Sequence, residues 1–246
     1  MTQIMAVVNL TPDSFFAPSR VRAAQAAERI RALVDAGADI IDLGAVSTRP
    51  GAADVSLREE WHRLAPVVRA WDRGIPLSVD TTRAEIVRRV YDCVGSFLVN
   101  DISAGEDDPD MLATVGRLGL PYVAMHKRGN PRTMDAQCDY PEGVIPALLA
   151  YFKAFSAKAE EYGIAQWILD PGLGFAKTAE QNWEILEKLE ALHVFGRPIL
   201  IGAADKRFTR GDTERAHRLA LQHGADILRV HDVPAARATI EAYLAQ

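Results

Sequence analysis

Apolar and polar positions along the chain fall into two alternating patterns. Short runs of four to seven residues, rich in Val, Ile, Leu and aromatics, predict strands at Ile4–Leu10, Ile40–Gly44, Pro76–Asp80, Phe97–Asp101, Tyr122–His126, Trp167–Asp170, Pro198–Gly202 and Ile227–Val230. Longer amphipathic stretches lie between them and predict helices, among them Ala23–Ala36, Arg58–Asp72, Ala84–Tyr91, Gly143–Tyr162, Ala179–Leu192 and Thr213–His223. Glycine closes several of these before the next strand, in Ala36-Gly37, Arg73-Gly74, Tyr162-Gly163 and His223-Gly224, where a residue without Cβ takes the left-handed cap conformation. The one long polar connection, Lys127–Tyr140, reads as a surface loop and not as a domain boundary.

Continuous apolar strands alternating with amphipathic helices belong to a parallel sheet covered by helices. Eight such units in 246 residues predict a single α/β domain, residues 1–246, closed as a (β/α)8 TIM barrel in preference to an open doubly wound sheet. With 48% hydrophobic and 25% charged residues, the chain has enough core for an apolar pocket carrying a few polar groups. Lys and Arg number 28 against 33 Asp and Glu, a net charge of −5. Such a chain lacks the basic surface that general nucleic-acid binding needs, and an anionic substrate has to meet locally placed cations. Cys93 and Cys138 show no metal or redox spacing and read as reduced thiols. No apolar stretch approaches the roughly 20 residues of a membrane helix. The N-terminal run Ile4–Val8 is strand-sized and has no basic leader, so no membrane association and a cytoplasmic location are expected.

In a barrel of this kind the chemistry is built where the strands end. The first strand ends at Asn9, followed by Thr11-Pro12-Asp13-Ser14-Phe15, and the second at Asp42-Leu43-Gly44, followed by Ser47-Thr48-Arg49-Pro50-Gly51. The third ends at Asp80-Thr81, the fourth at Asn100-Asp101, the fifth at Met125-His126 and the sixth at Asp170-Pro171-Gly172. The seventh leads through Gly202 to Lys206, and the eighth ends at Arg229-Val230-His231-Asp232. An isolated Asp after a strand is equally well explained as the cap of the next helix, a reading open for Asp80, Asp101 and Asp232. Polar or charged groups at every end, however, converge on one mouth. Acids and amides dominate the third, fourth and sixth ends, cations the seventh and eighth. This fold usually binds phosphate at those last two ends, so Lys206, Arg229 and His231 form a candidate anion site.

Asp170-Pro171-Gly172-Leu173-Gly174-Phe175 carries the most information. Its carboxylate follows Trp167-Ile168-Leu169, so its base is desolvated and calls for adjacent N–H donors. A ligand with an N–C–N edge, such as a 2-amino-4-oxopterin or a guanine, offers two donors side by side, and Gly172 and Gly174 let the backbone turn close to it. The plain alternative is a tight turn with Asp as helix cap. Zinc-ligand spacing, a GxSxG elbow and a GxxxxGK[ST] loop are missing; Lys206 stands between Asp205 and Arg207, without the glycine and hydroxyl neighbours of a P-loop.

Taken together, the segments resemble the dihydropteroate synthase family over nearly the whole chain. The resemblance rests on Asn9-Leu10-Thr11-Pro12-Asp13-Ser14-Phe15, Ser47-Thr48-Arg49-Pro50-Gly51-Ala52, Ser78-Val79-Asp80-Thr81, Val99-Asn100-Asp101-Ile102, Asp170-Pro171-Gly172-Leu173-Gly174-Phe175 and Arg229-Val230-His231-Asp232-Val233, in order and at barrel spacing. It implies a transferase of folate biosynthesis that joins a pterin pyrophosphate to 4-aminobenzoate. It further implies that Asp170, Asn100 and Asp80 contact the pterin edge, that Met125 and Gly202 line its pocket, and that Lys206 contacts the pterin. Asn9, Arg229 and His231 would hold pyrophosphate, with Mg2+ near Asn9. Thr48, Arg49 and Pro50 would belong to a closing loop, and Phe175 and Phe15 would lie near the amine. Among these, Lys206, Asp80 and Arg229 are the expected catalytic groups, and a homodimer is implied.

Three places depart from the family pattern. The first loop reads Phe16-Ala17-Pro18-Ser19-Arg20 where an acid and paired glycines are usual. Ala45-Val46 replaces a Gly-Glu pair, and Ala204-Asp205 precedes Lys206 where Ser-Arg is usual. The last change keeps open a degenerate, non-catalytic pterin-binding paralogue, since fold does not guarantee function. A corrinoid-linked pterin methyltransferase is a second alternative, disfavoured because that activity makes no use of a pyrophosphate site.

Overall fold

The computed structural model describes residues 2–10, 19–46, 55–72, 74–129, 133–204 and 206–245, with the side chains of residues 19–23 and 135 outside the description. Eight strands are present: β1 Gln3–Asn9, β2 Ile40–Gly44, β3 Leu77–Asp80, β4 Leu98–Asp101, β5 Tyr122–Met125, β6 Trp167–Asp170, β7 Leu200–Ile201 and β8 Ile227–Val230. Helices alternate with them: α1 Ser19–Asp35, α2 Leu57–Arg69, α3 Ala84–Val94, α4 Met111–Leu118, α5 Val144–Glu161, α6 Ala179–Glu187, α7 Thr213–Gln222 and α8 Val233–Leu244. All strand pairs are parallel, in the order β6-β5-β4-β3-β2-β1-β8-β7. A parallel bridge from Leu169 to Ile199 joins the two ends of that order, so the sheet closes as the sequence predicts.

The seventh strand is shorter than the predicted Pro198–Gly202. Pro198 has no N–H to donate and contributes its carbonyl, which accepts from Leu169 N at 2.9 Å. The predicted helix Ala179–Leu192 breaks at Glu187 and continues as a tighter 3-10 turn, Leu189–Phe195. Arg58–Asp72 ends early, at Arg69. Two helices that the periodicity did not single out, α4 and α8, complete the eight. In α4, Gly116 lies so close to the Tyr162 carbonyl that a Cβ would stand 1.8 Å from it, and this small residue dilutes the apolar pattern. Gly37, Gly163 and Gly224 take positive φ as expected. No helix among the described residues is long and apolar enough to cross a membrane.

Side chains alternate across each strand, one set facing the helices and the other the barrel axis. The helix-facing set forms the large core with residues such as Ile41, Leu43, Val79, Val99, Tyr122, Leu169 and Leu228. The axial set forms a separate, smaller cluster: Met5, Ile40, Leu98, Val123, Leu200 and Ile227, with Ile168 against it. This layer fills the barrel floor. Two residues further along each strand, the next axial layer contains Val7, Asp42, Asn100, Met125, Asp170, Gly202 and Arg229. The same period of two that plugs the floor with aliphatic groups lifts a mostly polar layer onto it.

Candidate active site

Asp42 anchors this polar layer and is wholly buried. Its Oδ1 accepts from Ser78 Oγ at 2.6 Å, and its Oδ2 accepts from Asn100 Nδ2 at 3.1 Å and from Arg229 Nε at 2.8 Å. Arg229 Nη2 also donates to Asp80 Oδ2 at 2.9 Å. One guanidinium thus holds two carboxylates from β2 and β3. Burial would lower Arg229, yet Asp42 and Asp80 raise it above the ordinary guanidinium range, so it is a permanent cation. Burial pushes Asp80 up to about 7 against the pull of Arg229, and Asp42 adds to the rise. Among the described residues, these two bonds leave three of the five guanidinium N–H donors for a ligand.

The neighbouring β6 end is built from backbone. Asp170 Oδ1 accepts from Gly172 N at 2.7 Å. Among the described residues Oδ2 accepts nothing, so the carboxylate retains capacity for a second donor. Burial raises the Asp170 pKa, opposed by the Gly172 amide, Lys206, Arg229 and Lys177. Gly172 sits at φ +69°, and a Cβ there would stand 2.0 Å from the His126 carbonyl and 3.4 Å from Met125 Cγ. Met125 is therefore a wall beside Asp170. Gly174, at φ +77°, gives room to the Lys206 chain, whose Cδ would lie 3.1 Å from an added Cβ. The Lys206 ammonium stands 4.5 Å from the centre of the Phe175 ring, a cation–π contact. Burial and Arg229 bring Lys206 down to about 8, while Asp170 and Asp80 hold it up. An added Cβ on Gly44 would lie 3.5 Å from Asn9 Oδ1 and 3.8 Å from Asp80 Oδ2, so Asn9 and Asp80 flank the same glycine. His231 is half-buried just past β8, one strand period beyond Arg229.

The geometry thus gathers Asp80, Asn100, Met125, Asp170, Phe175, Gly202, Lys206, Arg229 and Asn9 at one end of the barrel. Phe15, Thr48, Arg49 and Pro50 lie outside the described residues, as does Asp205. The cap reading is right for Asp232, whose side chain accepts from Ala235 N at the start of α8. It is wrong for Asp80, which binds Arg229, and for Asp101. Asp101 accepts from Ser103 N, Ser103 Oγ, Gly105 N and Tyr122 OH, and so organises the loop after β4.

Sequence reasoning passed over two groups. Asp42 had a signal: an acid two places after Ile40 in an otherwise apolar strand. Lys177 had none. Its Nζ is buried and lies 3.0 Å from each of His126 Nδ1, the Gly172 carbonyl and the Phe175 carbonyl. Burial lowers Lys177 to about 7 with Asp170 opposing, and burial with Lys177 and Arg128 lowers His126 to about 2. His126 is therefore neutral, and its Nδ1 completes three polar contacts around Lys177 Nζ.

The sequence model of the family described as pterin binding enzyme matches residues 5–231. The chain is 41% identical over 251 residues to the dihydropteroate synthase of Synechocystis sp., covering 95% of this chain and 86% of that one. The fold matches a Yersinia pestis dihydropteroate synthase solved with a sulfonamide drug at a TM-score of 0.90, with 33% identity over 99% of this chain and 94% of the other. It matches the Xanthomonas albilineans dihydropteroate synthase solved with 4-aminobenzoic acid at 0.88, with 33% identity over 99% and 92%. With a pattern of strand-end groups, a closed barrel and a whole-chain match in agreement, this chain belongs to the dihydropteroate synthase family of pterin binding enzymes.

Proposed function

We propose that the barrel mouth condenses 6-hydroxymethyl-7,8-dihydropterin pyrophosphate with 4-aminobenzoate, giving 7,8-dihydropteroate and pyrophosphate in folate biosynthesis. The observation that carries the residue-level reading is the meeting of buried Asp170, whose second carboxylate oxygen accepts nothing among the described residues, with two cations, Arg229 and Lys206, at the barrel mouth. In this reading Asp170, Asn100 and Asp80 bind the pterin edge against Met125, and Gly202 leaves room beside Arg229. Arg229, Lys206 and His231 receive the departing pyrophosphate. The bond from the pterin methylene carbon to oxygen breaks, and the electron-rich ring stabilises the cation that remains. The amine lone pair forms the new C–N bond, and its proton leaves to solvent or to pyrophosphate. Preorganised cations stabilise the developing anion without reorganisation cost. Phe175 and Phe15 flank the amine, and Thr48, Arg49 and Pro50 shield the cation from water.

Mg2+ is part of this reading. No group of three His, Cys, Asp or Glu side chains among the described residues forms a metal cage. Mg2+ commonly takes one or two protein oxygens, with phosphate and water completing its shell. Asn9, whose Oδ1 lies at the mouth beside Asp80, suits that minimal role. When bound there, the ion would neutralise charge on the pyrophosphate. A cytoplasmic homodimer completes the proposal. Turnover of the pterin pyrophosphate with 4-aminobenzoate by the pure chain tests it. Pterin binding without turnover, at any Mg2+ concentration, would favour the non-catalytic paralogue.

A further inference from the structure

Lys177 has no part in the reaction just described, and it is the one basic residue between β6 and α6. The loop runs Gly172 to Ala176 with three residues at positive φ: Gly172 at 69°, Gly174 at 77° and Ala176 at 51°. For alanine this conformation is unfavourable and persists only where the surroundings fix it. The surroundings are specific. The Ala176 carbonyl accepts from Tyr140 OH at 3.0 Å, and Gly174 N donates to Asn182 Oδ1 at 2.7 Å. The carbonyls of Gly172 and Phe175 both turn onto Lys177 Nζ, and Phe175 N donates to the same Gly172 carbonyl at 3.1 Å. The third Lys177 partner, His126 Nδ1, stands at the end of β5 next to Met125. The loop is therefore wound around the buried Lys177 nitrogen, which ties it to β5.

That winding fixes two groups assigned above to the substrates. The residue whose carbonyl Lys177 holds, Gly172, also supplies the N–H that orients Asp170. The other, Phe175, carries the ring beneath Lys206. We infer that Lys177, held by His126, is the positioning residue of the synthase site, setting the Phe175 ring and the Asp170 carboxylate at once without touching either substrate. The inference rests on the proposed reading of those two residues.

The test is a steady-state comparison of three variants with wild type, with pyrophosphate affinity measured by calorimetry as an internal control. Lys177→Met retains bulk and removes the nitrogen. Its KM for 4-aminobenzoate should rise about 10- to 100-fold, the scale of buried polar groups left without their partner, with pyrophosphate affinity changing far less because Arg229 is untouched. His126→Leu removes one acceptor and should give a smaller rise. His126→Asn restores an acceptor near the Nδ1 position and should recover most of it. This pair decides the matter if Lys177→Met does not fold. A lowered active-site concentration with unchanged KM values would mean a merely structural lysine and would overturn the inference, as would equal KM values for His126→Leu and His126→Asn. Wild type that binds pterin but does not turn over fails the functional reading instead, and pterin affinity across the same variants then decides whether Lys177 still sets Asp170.

Discussion

Single side chains in this mouth are defined by what their neighbours leave unused. Among the described residues, Asp170 has one oxygen held by Gly172 N and one that accepts nothing, so its carboxyl is only partly satisfied before a ligand arrives. Asp170→Asn retains the shape and turns half of the acceptor pair into a donor. It should cost about 2–4 kcal/mol of pterin binding, measurable by calorimetry, and unchanged affinity would remove Asp170 from the pterin site. Lys206 is set by burial and Arg229 on one side and by Asp170 and Asp80 on the other, with the balance near 8. If it acts as a cation, kcat/KM should fall above about pH 8. In Lys206→Arg that alkaline limb should move out of range, because guanidinium stays charged. A limb that persists in the arginine variant assigns it to another group. The sign for stability is opposite. The folded state lowers this lysine from 10.5 to about 8, so it binds the proton less well than the unfolded chain does. Lys206→Met should therefore be more stable than wild type at pH 7, and the difference in Tm should shrink as pH rises from 8 towards 10.5.

At the scale of elements, the strand ends supply direction and the loops supply close approach. Gly172 and Gly119 both lie at positive φ, 69° and 64°, but only Gly172 faces backbone: a methyl group there would stand 2.0 Å from the His126 carbonyl. Around Gly119 nothing lies within 4 Å. Gly119→Ala should cost about 1–2 kcal/mol, the conformational penalty alone. Gly172→Ala adds a collision that side-chain motion cannot relieve, so it should cost clearly more stability and should also lower pterin affinity. Urea denaturation of the two variants compares them directly; equal costs would show that the β5 and β6 ends separate easily. Capping of α6 is a further local device, in which Thr178 and Gln181 bond each other's backbone directly after Lys177. The glycine run of this loop stands out along the chain. The lysine around which it winds does not, because a lysine before a helix cap looks like any solvated surface lysine.

Across the whole molecule, closure of the sheet is what makes one mouth out of eight ends. Asp42 and Arg229 are 187 residues apart in the chain and share an ion pair at 2.8 Å. That one guanidinium also reaches Asp80, so a single cation from β8 gathers carboxylates from β2 and β3 in a chain of net charge −5. Cations needed for a pyrophosphate are local, as that overall charge demands. The proposed homodimer has a simple consequence. Light scattering should give twice the 27.0 kDa chain mass, independent of pyrophosphate. A monomer at micromolar concentration would remove the dimer from the proposal.

The sequence by itself determined the alternation of strands and helices, the eightfold count and the polar character of every strand end. Each is a local property: hydrophobic period, cap chemistry and residue type need no distant partner to be read. It also carried the axial layers, since Ile40-x-Asp42, Leu98-x-Asn100, Ile168-x-Asp170 and Ile227-x-Arg229 repeat one step of two residues. Pairing was decided only in three dimensions. Asp80 had equal claims to cap a helix or enter the site until β8 brought Arg229 against it. Lys177 became a buried nitrogen with three polar partners because two carbonyls and a histidine, up to 51 positions away, converge on it. Burial and long-range hydrogen bonding set both outcomes, and neither quantity belongs to a residue before the chain has closed around it.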